Sequence, residues 1–182
     1  MEQTIALQDR LIAKCKKGDS KAQYQLYMLY VDAMYNVAYR FMQSKFDAED
    51  ALQEAFVKAF QKISSFKGES TFGAWLKRIV VNHCLSEIRK CKITFKDIDE
   101  IPNKDIFEDD VRIEDETPIE IVKKAIDELP QGARMVFTLK AIEEYKFSEI
   151  SEMLALSESN CKVQYHRSKK LLREKLRNTI NN

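Results

Sequence analysis

The chain has 182 residues, 45% hydrophobic and 32% charged, a balance that fits one or two soluble globular domains and excludes a disordered polymer. No apolar run approaches the length of a membrane span, and the polar start MEQTIALQDR does not read as a signal peptide, so a cytosolic location is expected. The net charge of +1 conceals a partition into +5 over residues 1–93, −7 over 94–118 and +3 over 119–182, as for two nucleic-acid-facing modules joined by a non-binding tether.

With only four Gly and three Pro, and little strand-type alternation, long segments of 3.6-residue period dominate. The expected fold is all-α. Residues 4–17 predict a first short helix, ended by Gly18. Asp19 or Ser20 caps a second helix over about 20–45. There Tyr24, Tyr27, Met28, Val31, Met34, Tyr35, Ala38, Phe41 and Met42 recur at three- and four-residue steps and read as core.

Asp47 opens a third helix, DAEDALQEAFVKAFQKI, with Leu52, Phe56, Ala59, Phe60 and Ile63 on one side. The opposite side carries Asp50, Glu54, Val57 and Gln61, flanked by Gln53 and Lys58. An apolar centre among carboxylates and carboxamides suits a docking surface for a protein partner. A solvated face with one stray valine is the equal alternative.

The stretch SFKGESTFGAWLKRIVVNHCLSEIRK follows. A polar loop of Lys67, Gly68 and Glu69 leads to Ser70 as N-cap and a long helix. Phe72, Leu76, Ile79, Val80 and His83 share one arc. Trp75, Arg78, Asn82, Ser86 and Arg89 share another. The second row supplies an aromatic, two guanidiniums, a carboxamide and a hydroxyl, which suit phosphate contacts, base edges and stacking. The alternative is an ordinary polar face with a half-buried Trp.

From residue 94 the period stops, and 94–117 reads as an acidic linker. Thr117 and Pro118 make an N-cap and first-turn pair for a helix to about Leu129, and a second spans about 131–144. Ser148–Leu154, a turn at 155–157 and a long helix from Ser157 or Glu158 to about Leu176 have the order of a helix-turn-helix. Ile150, Leu154, Leu156, Cys161, Tyr165 and Leu172 can close its core. Ser159, Asn160, Lys162, Val163, His166, Arg167, Lys169 and Lys170 remain for DNA, unless this is a helical hairpin with a basic tail.

His83, Cys84 and Cys91 are near in sequence, but neighbours on a helix point to different faces and the four cysteines lack finger spacing. No metal, cofactor or catalytic set is expected, and the chain does not read as an enzyme.

In this order, DAEDALQEAFVKAFQKISSFKGESTFGAWLKRIVVN, the Leu129-Pro130 step and FSEISEMLALSESNCKVQYHRSKK resemble the extracytoplasmic-function (ECF) sigma factors of bacterial RNA polymerase. The resemblance implies region 2 over 1–93, a linker over 94–117 and region 4 over 118–182. It implies core RNA polymerase as partner, through the β′ clamp helices and the β flap, with Asp50, Gln53, Glu54 and Val57 toward the clamp. Phe66, Lys67, Ser70, Thr71, Phe72, Trp75, Arg78, Asn82 and Arg89 would then meet the minus-ten promoter strand. Ser159, Asn160, Lys162, Val163, His166, Arg167 and Lys170 would meet the minus-thirty-five duplex. An anti-sigma factor is a further partner that the resemblance admits. The recognition helix departs from the family, with Ser-Asn-Cys-Lys-Val-Gln where many relatives place Gly-Thr-Val-Arg-Ser-Arg. Base preference therefore does not carry over, and Gln164 replaces a basic residue.

Overall fold

A computed structural model of the chain describes residues 2–90 and 118–180; the expected linker 94–117 and Cys91 lie outside the described residues. All regular structure among the described residues is helical, in two compact units covering Met1–Lys92 and Ile93–Asn182.

The first unit begins with α1, Glu2–Cys15. Gly18 takes φ +82, a left-handed conformation that glycine adopts without a Cβ penalty. Asp19 then caps α2 (Ser20–Met42), accepting from the Ala22 N–H at 3.0 Å. Left-handed Gln43 ends α2, three residues before the expected boundary. Helix α3 (Lys45–Lys62) starts earlier than expected, because the Ser44 hydroxyl accepts from the Asp47 N–H. Asp47 therefore lies in the first turn, where its carboxylate complements the helix dipole. A 3₁₀ turn at Ile63–Ser65 leads through a loop into α4 (Phe72–Lys90).

Helices α2, α3 and α4 pack against one another, with α1 on α2. Leu26, Ala38, Ala55, Leu76, Val80, Val81 and Cys84 are fully buried at their centre. The stripe expected as core on α2 is only partly so. Ala22, Leu26, Met34, Val37, Ala38 and Phe41 are buried, while Tyr24 is 65% and Met28 54% exposed. Three- and four-residue steps admit two adjacent rows on so long a helix, and α3 and α4 cover only one. Close approach of α4 to α2 depends on Gly73, where a Cβ would stand 3.0 Å from the Tyr30 ring.

In the second unit, Pro118 stands at the cap position of α5 (Ile119–Asp127), one place before the helical position expected for it. After Pro130, α6 (Gln131–Phe137) widens into a π turn at Thr138–Ile142, with the Glu143 N–H on the Thr138 carbonyl at 2.9 Å. Helix α7 spans Phe147–Leu154, and its Glu149 carboxylate reaches back to the Lys146 N–H at 3.0 Å. Left-handed Ala155 (φ 54) turns the chain. Ser157 caps α8 (Glu158–Ile180), accepting from the Asn160 N–H at 3.1 Å. The last helix runs past the expected Leu176.

Helices α5, α6 and α7 all pack on α8. Ala125 and Leu129 meet Leu172 and Leu176, while Met135, Val136, Leu139, Ile150, Leu154 and Cys161 fill the centre. Leu156 and Tyr165, expected in this core, are only partly covered.

Truncating Leu76 to Ala, at a site with no exposure, is expected to cost about 2–5 kcal/mol of unfolding free energy in the first unit. Denaturant titration followed by Trp75 fluorescence reads that unit selectively, since Trp75 is the sole tryptophan.

Candidate nucleic-acid and partner interfaces

On α3, burial of Ala48, Ala51, Leu52, Ala55, Phe56 and Ala59 fixes the opposite side outward. Asp50, Gln53, Glu54, Val57 and Gln61 are all exposed there, Val57 at 57%. The face is open, and its one apolar side chain stands among polar ones.

Helix α4 is capped by Thr71, whose hydroxyl accepts from the Ala74 N–H at 3.2 Å; Ser70, expected in that role, hydrogen-bonds only the Thr71 carbonyl. Arg78, Asn82 and Arg89 are exposed along one row, with Trp75 and Ser86 half-buried. Phe66, Phe72 and Trp75 form a triangle with ring centroids 5.4–5.5 Å apart. Phe72 is 2% and Phe66 9% exposed, so these two rings back the loop from inside and Trp75 alone of the three offers an open edge. Lys67, Gly68, Ser70 and Thr71 are exposed beside them. Lys16, just after α1, ties this loop down, donating to the Phe66 carbonyl at 2.7 Å with its ammonium 5.9 Å from the Phe66 ring centroid. A hollow of about 210 Å³ lies there, between Asp9, Ile12 and Ala13 on α1, Lys16 just after it, and Phe66–Gly68 on the loop.

At the start of α8, Ser159 and Lys162 are exposed; Asn160, Val163, His166 and Arg167 are partly so, and Lys170 is exposed one turn on. Tyr165 is braced by Phe137 (6.0 Å) and Phe147 (5.8 Å), with Lys169 5.4 Å over its ring. Gln164 is 1% exposed. It faces inward, so the absence of a basic residue there removes no phosphate contact from the outer surface.

Residues 26–92 match the family Sigma-70 region 2, and residues 119–172 match Sigma-70, region 4. The ECF RNA polymerase sigma factor SigW of Bacillus subtilis (strain 168) is 33% identical over 177 residues, covering 91% of this chain and 95% of that protein. The chain belongs to the ECF RNA polymerase sigma factors. The ECF RNA polymerase sigma-E factor of Escherichia coli (strain K12) is 28% identical over 181 residues, covering 93% of this chain and 94% of that one. In fold, the chain is similar to the sigma factor RpoE solved with the anti-sigma factor NepR from Bartonella quintana. The TM-score is 0.55 at 22% identity, covering 85% of this chain and 96% of the other. This sigma factor directs transcription initiation with core RNA polymerase on promoter DNA and is not an enzyme.

One constellation of the sigma factor has no counterpart in the sequence reading. His83 is 4% exposed on the inner side of α4. Its Nδ1 accepts from the Lys58 ammonium at 2.7 Å, which leaves the ring proton on Nε2. Nε2 makes no hydrogen bond, and a Glu54 carboxylate oxygen stands 3.3 Å away. Glu87, one turn along, lies 3.7 Å from Nδ1 and 2.7 Å from Lys90. Burial depresses the His83 pKa, and Lys58 depresses it further against the pull of Glu87 and Glu54, so the imidazole is neutral near pH 7. The hydrogen bond from Lys90 holds the Glu87 carboxyl below its ordinary range. No spacing rule links positions 54 and 58 to 83. Only packing of α3 on α4 joins them.

Cys15, Cys84 and Cys161 are buried free thiols, with Cys84 pushed up to about 12 by burial and Cys161 to about 11. They behave as small apolar residues.

Replacing Thr71 by Ala in this sigma factor is expected to cost about 1 kcal/mol through loss of the α4 cap, read as a lowered thermal midpoint. Ser70→Ala at the neighbouring site is expected to leave the midpoint unchanged.

Proposed function

We propose that initiation is divided among three surfaces of this sigma factor. Residues 47–62 grip core polymerase through Asp50, Gln53, Glu54 and Val57. Residues 66–89 open and hold the minus-ten strand, and residues 157–170 anchor the upstream duplex. The reading rests on one observation above others: a single helix, α4, is apolar where it meets α2 and α3 and carries Arg78, Asn82 and Arg89 on its open side next to the Trp75 edge. Guanidiniums on a flexible stem pair with phosphates, a carboxamide reads a base edge, and an indole edge supports an unstacked base.

Extruding a base from duplex costs a few kcal/mol, which a rigid receiving surface offsets better than a mobile one. The inward-packed Phe66 and Phe72 rings and the Lys16 tie supply that rigidity. The acidic α3 face suits a basic partner surface, where carboxylates at the rim set orientation and association rate. The exposed residues at the head of α8 have the placement of a helix that enters the major groove N-terminus first. A partner that covers these surfaces would silence the factor, and an anti-sigma protein of the kind bound to the Bartonella quintana relative fits that role. With a cytoplasmic polymerase as its target, the protein acts in the cytoplasm, in response to stress or an environmental signal.

Charge reversal tests the docking face. Glu54→Lys and, away from the His83 cluster, Asp50→Lys are both expected to lose co-purification with core polymerase while far-UV circular dichroism stays unchanged. Retained binding by both variants would remove the assignment. Trp75→Ala is expected to spare polymerase binding and to reduce run-off transcription from duplex templates more than from pre-melted ones. An equal effect on the two templates would refute the melting role.

A further inference from the structure

We propose that Glu54, His83 and Glu87 form a site for one divalent transition cation of the zinc class, in which the Lys58 ammonium now stands where the ion would bind. The ligand-capable atoms of the three residues lie within 4.8 Å of one another. His83 is nine-tenths buried and rigid, Glu54 and Glu87 are exposed enough to swing, and the three come from two helices already locked together.

The ammonium marks the position. Lys58 Nζ stands 2.7 Å from His83 Nδ1 and 3.8 Å from a Glu54 oxygen, the environment a metal ion seeks. Lys58 is held only by these contacts at a side chain 45% exposed, and such solvent-facing pairs contribute little, so the ammonium leaves for water at small cost. The same holds for Lys90 on Glu87. Departure of Lys58 frees the Nδ1 lone pair for the ion. Glu54 then swings from its place beside Nε2 to the ion.

One imidazole and two carboxylates select against Ca²⁺ and Mg²⁺, which prefer all-oxygen shells, and against thiolate-seeking ions. Zn²⁺, Co²⁺ and Mn²⁺ fit, with water in the remaining positions. A bound dication would draw Glu54 off the open α3 face and reverse the local charge. Under the docking reading above, on which this last consequence rests, the loaded factor engages core polymerase less well.

Zn²⁺ titration of the full chain by isothermal calorimetry at neutral pH tests the site, with Mg²⁺ as control. One Zn²⁺ per chain is expected, with no Mg²⁺ binding at the same concentrations. His83→Gln is expected to weaken Zn²⁺ binding by at least about tenfold. Lys58→Met, which deletes the competing ammonium, is expected to tighten it. The Co²⁺ complex is expected to lack thiolate charge-transfer absorption. No Zn²⁺ binding to the unmodified chain overturns the proposal, as does binding indifferent to His83→Gln, binding not tightened by Lys58→Met, or a thiolate band from the cysteines. Core-polymerase affinity of the zinc-loaded chain separates the two readings: a site that behaves as described without lowering that affinity upholds the cation site and refutes the docking role of Glu54.

Discussion

The burial of one side of α4 against both α2 and α3 is the constraint on which the first unit depends. Leu76, Val80, Val81 and Cys84 lose all contact with water there, and a helix so anchored has no freedom to roll. Its other side is therefore committed to solvent, and with it Arg78, Asn82 and Arg89. The same packing orients α3, because Ala55 and Ala59 are small enough to let the helices approach closely. One apolar contact thus aims two polar faces. Both are open only because the contact between them is closed.

The loop before α4 owes its order to a smaller version of the same logic. Phe66 and Phe72 turn inward beneath Trp75, Thr71 satisfies an open N–H of the helix, and Lys16 holds a loop carbonyl from the turn after α1. Backbone that would otherwise be satisfied only by water is tied at both ends. In the proposed role of receiving an unstacked base, the entropy of ordering the loop has then been met at folding and not at binding.

The second unit solves a different problem. Its core is small, so it admits polar side chains: Gln164, Ser168 and Thr138 are buried beside Leu139 and Ile150. The π turn at Thr138–Ile142 and the left-handed residues Glu144 and Ala155 bend the chain so that α6 and α7 can both reach α8. Ser168 meets its hydrogen-bonding need through the Tyr165 carbonyl at 2.6 Å. Gln164 Nε2, in contrast, is buried without a hydrogen-bond partner.

Periodicity by itself determined the helical class, the places of the helices, and the outward row on α4, since a helix with one apolar face has one way to hide it. It also carried the open face of α3, because Val57 and its acidic neighbours oppose an unambiguous apolar side. Where a helix offered two adjacent apolar rows, as α2 does, the sequence held no means to choose, and Tyr24 and Met28 turned out exposed because α3 and α4 cover only the neighbouring row. Gln164, which stands where the resemblance places a basic residue, is buried because its position on α8 points into the core. The His83 cluster is tertiary throughout. Its members lie up to 33 positions apart, and nothing in the order of residues says that Lys58 will meet a buried ring until α3 and α4 pack side by side.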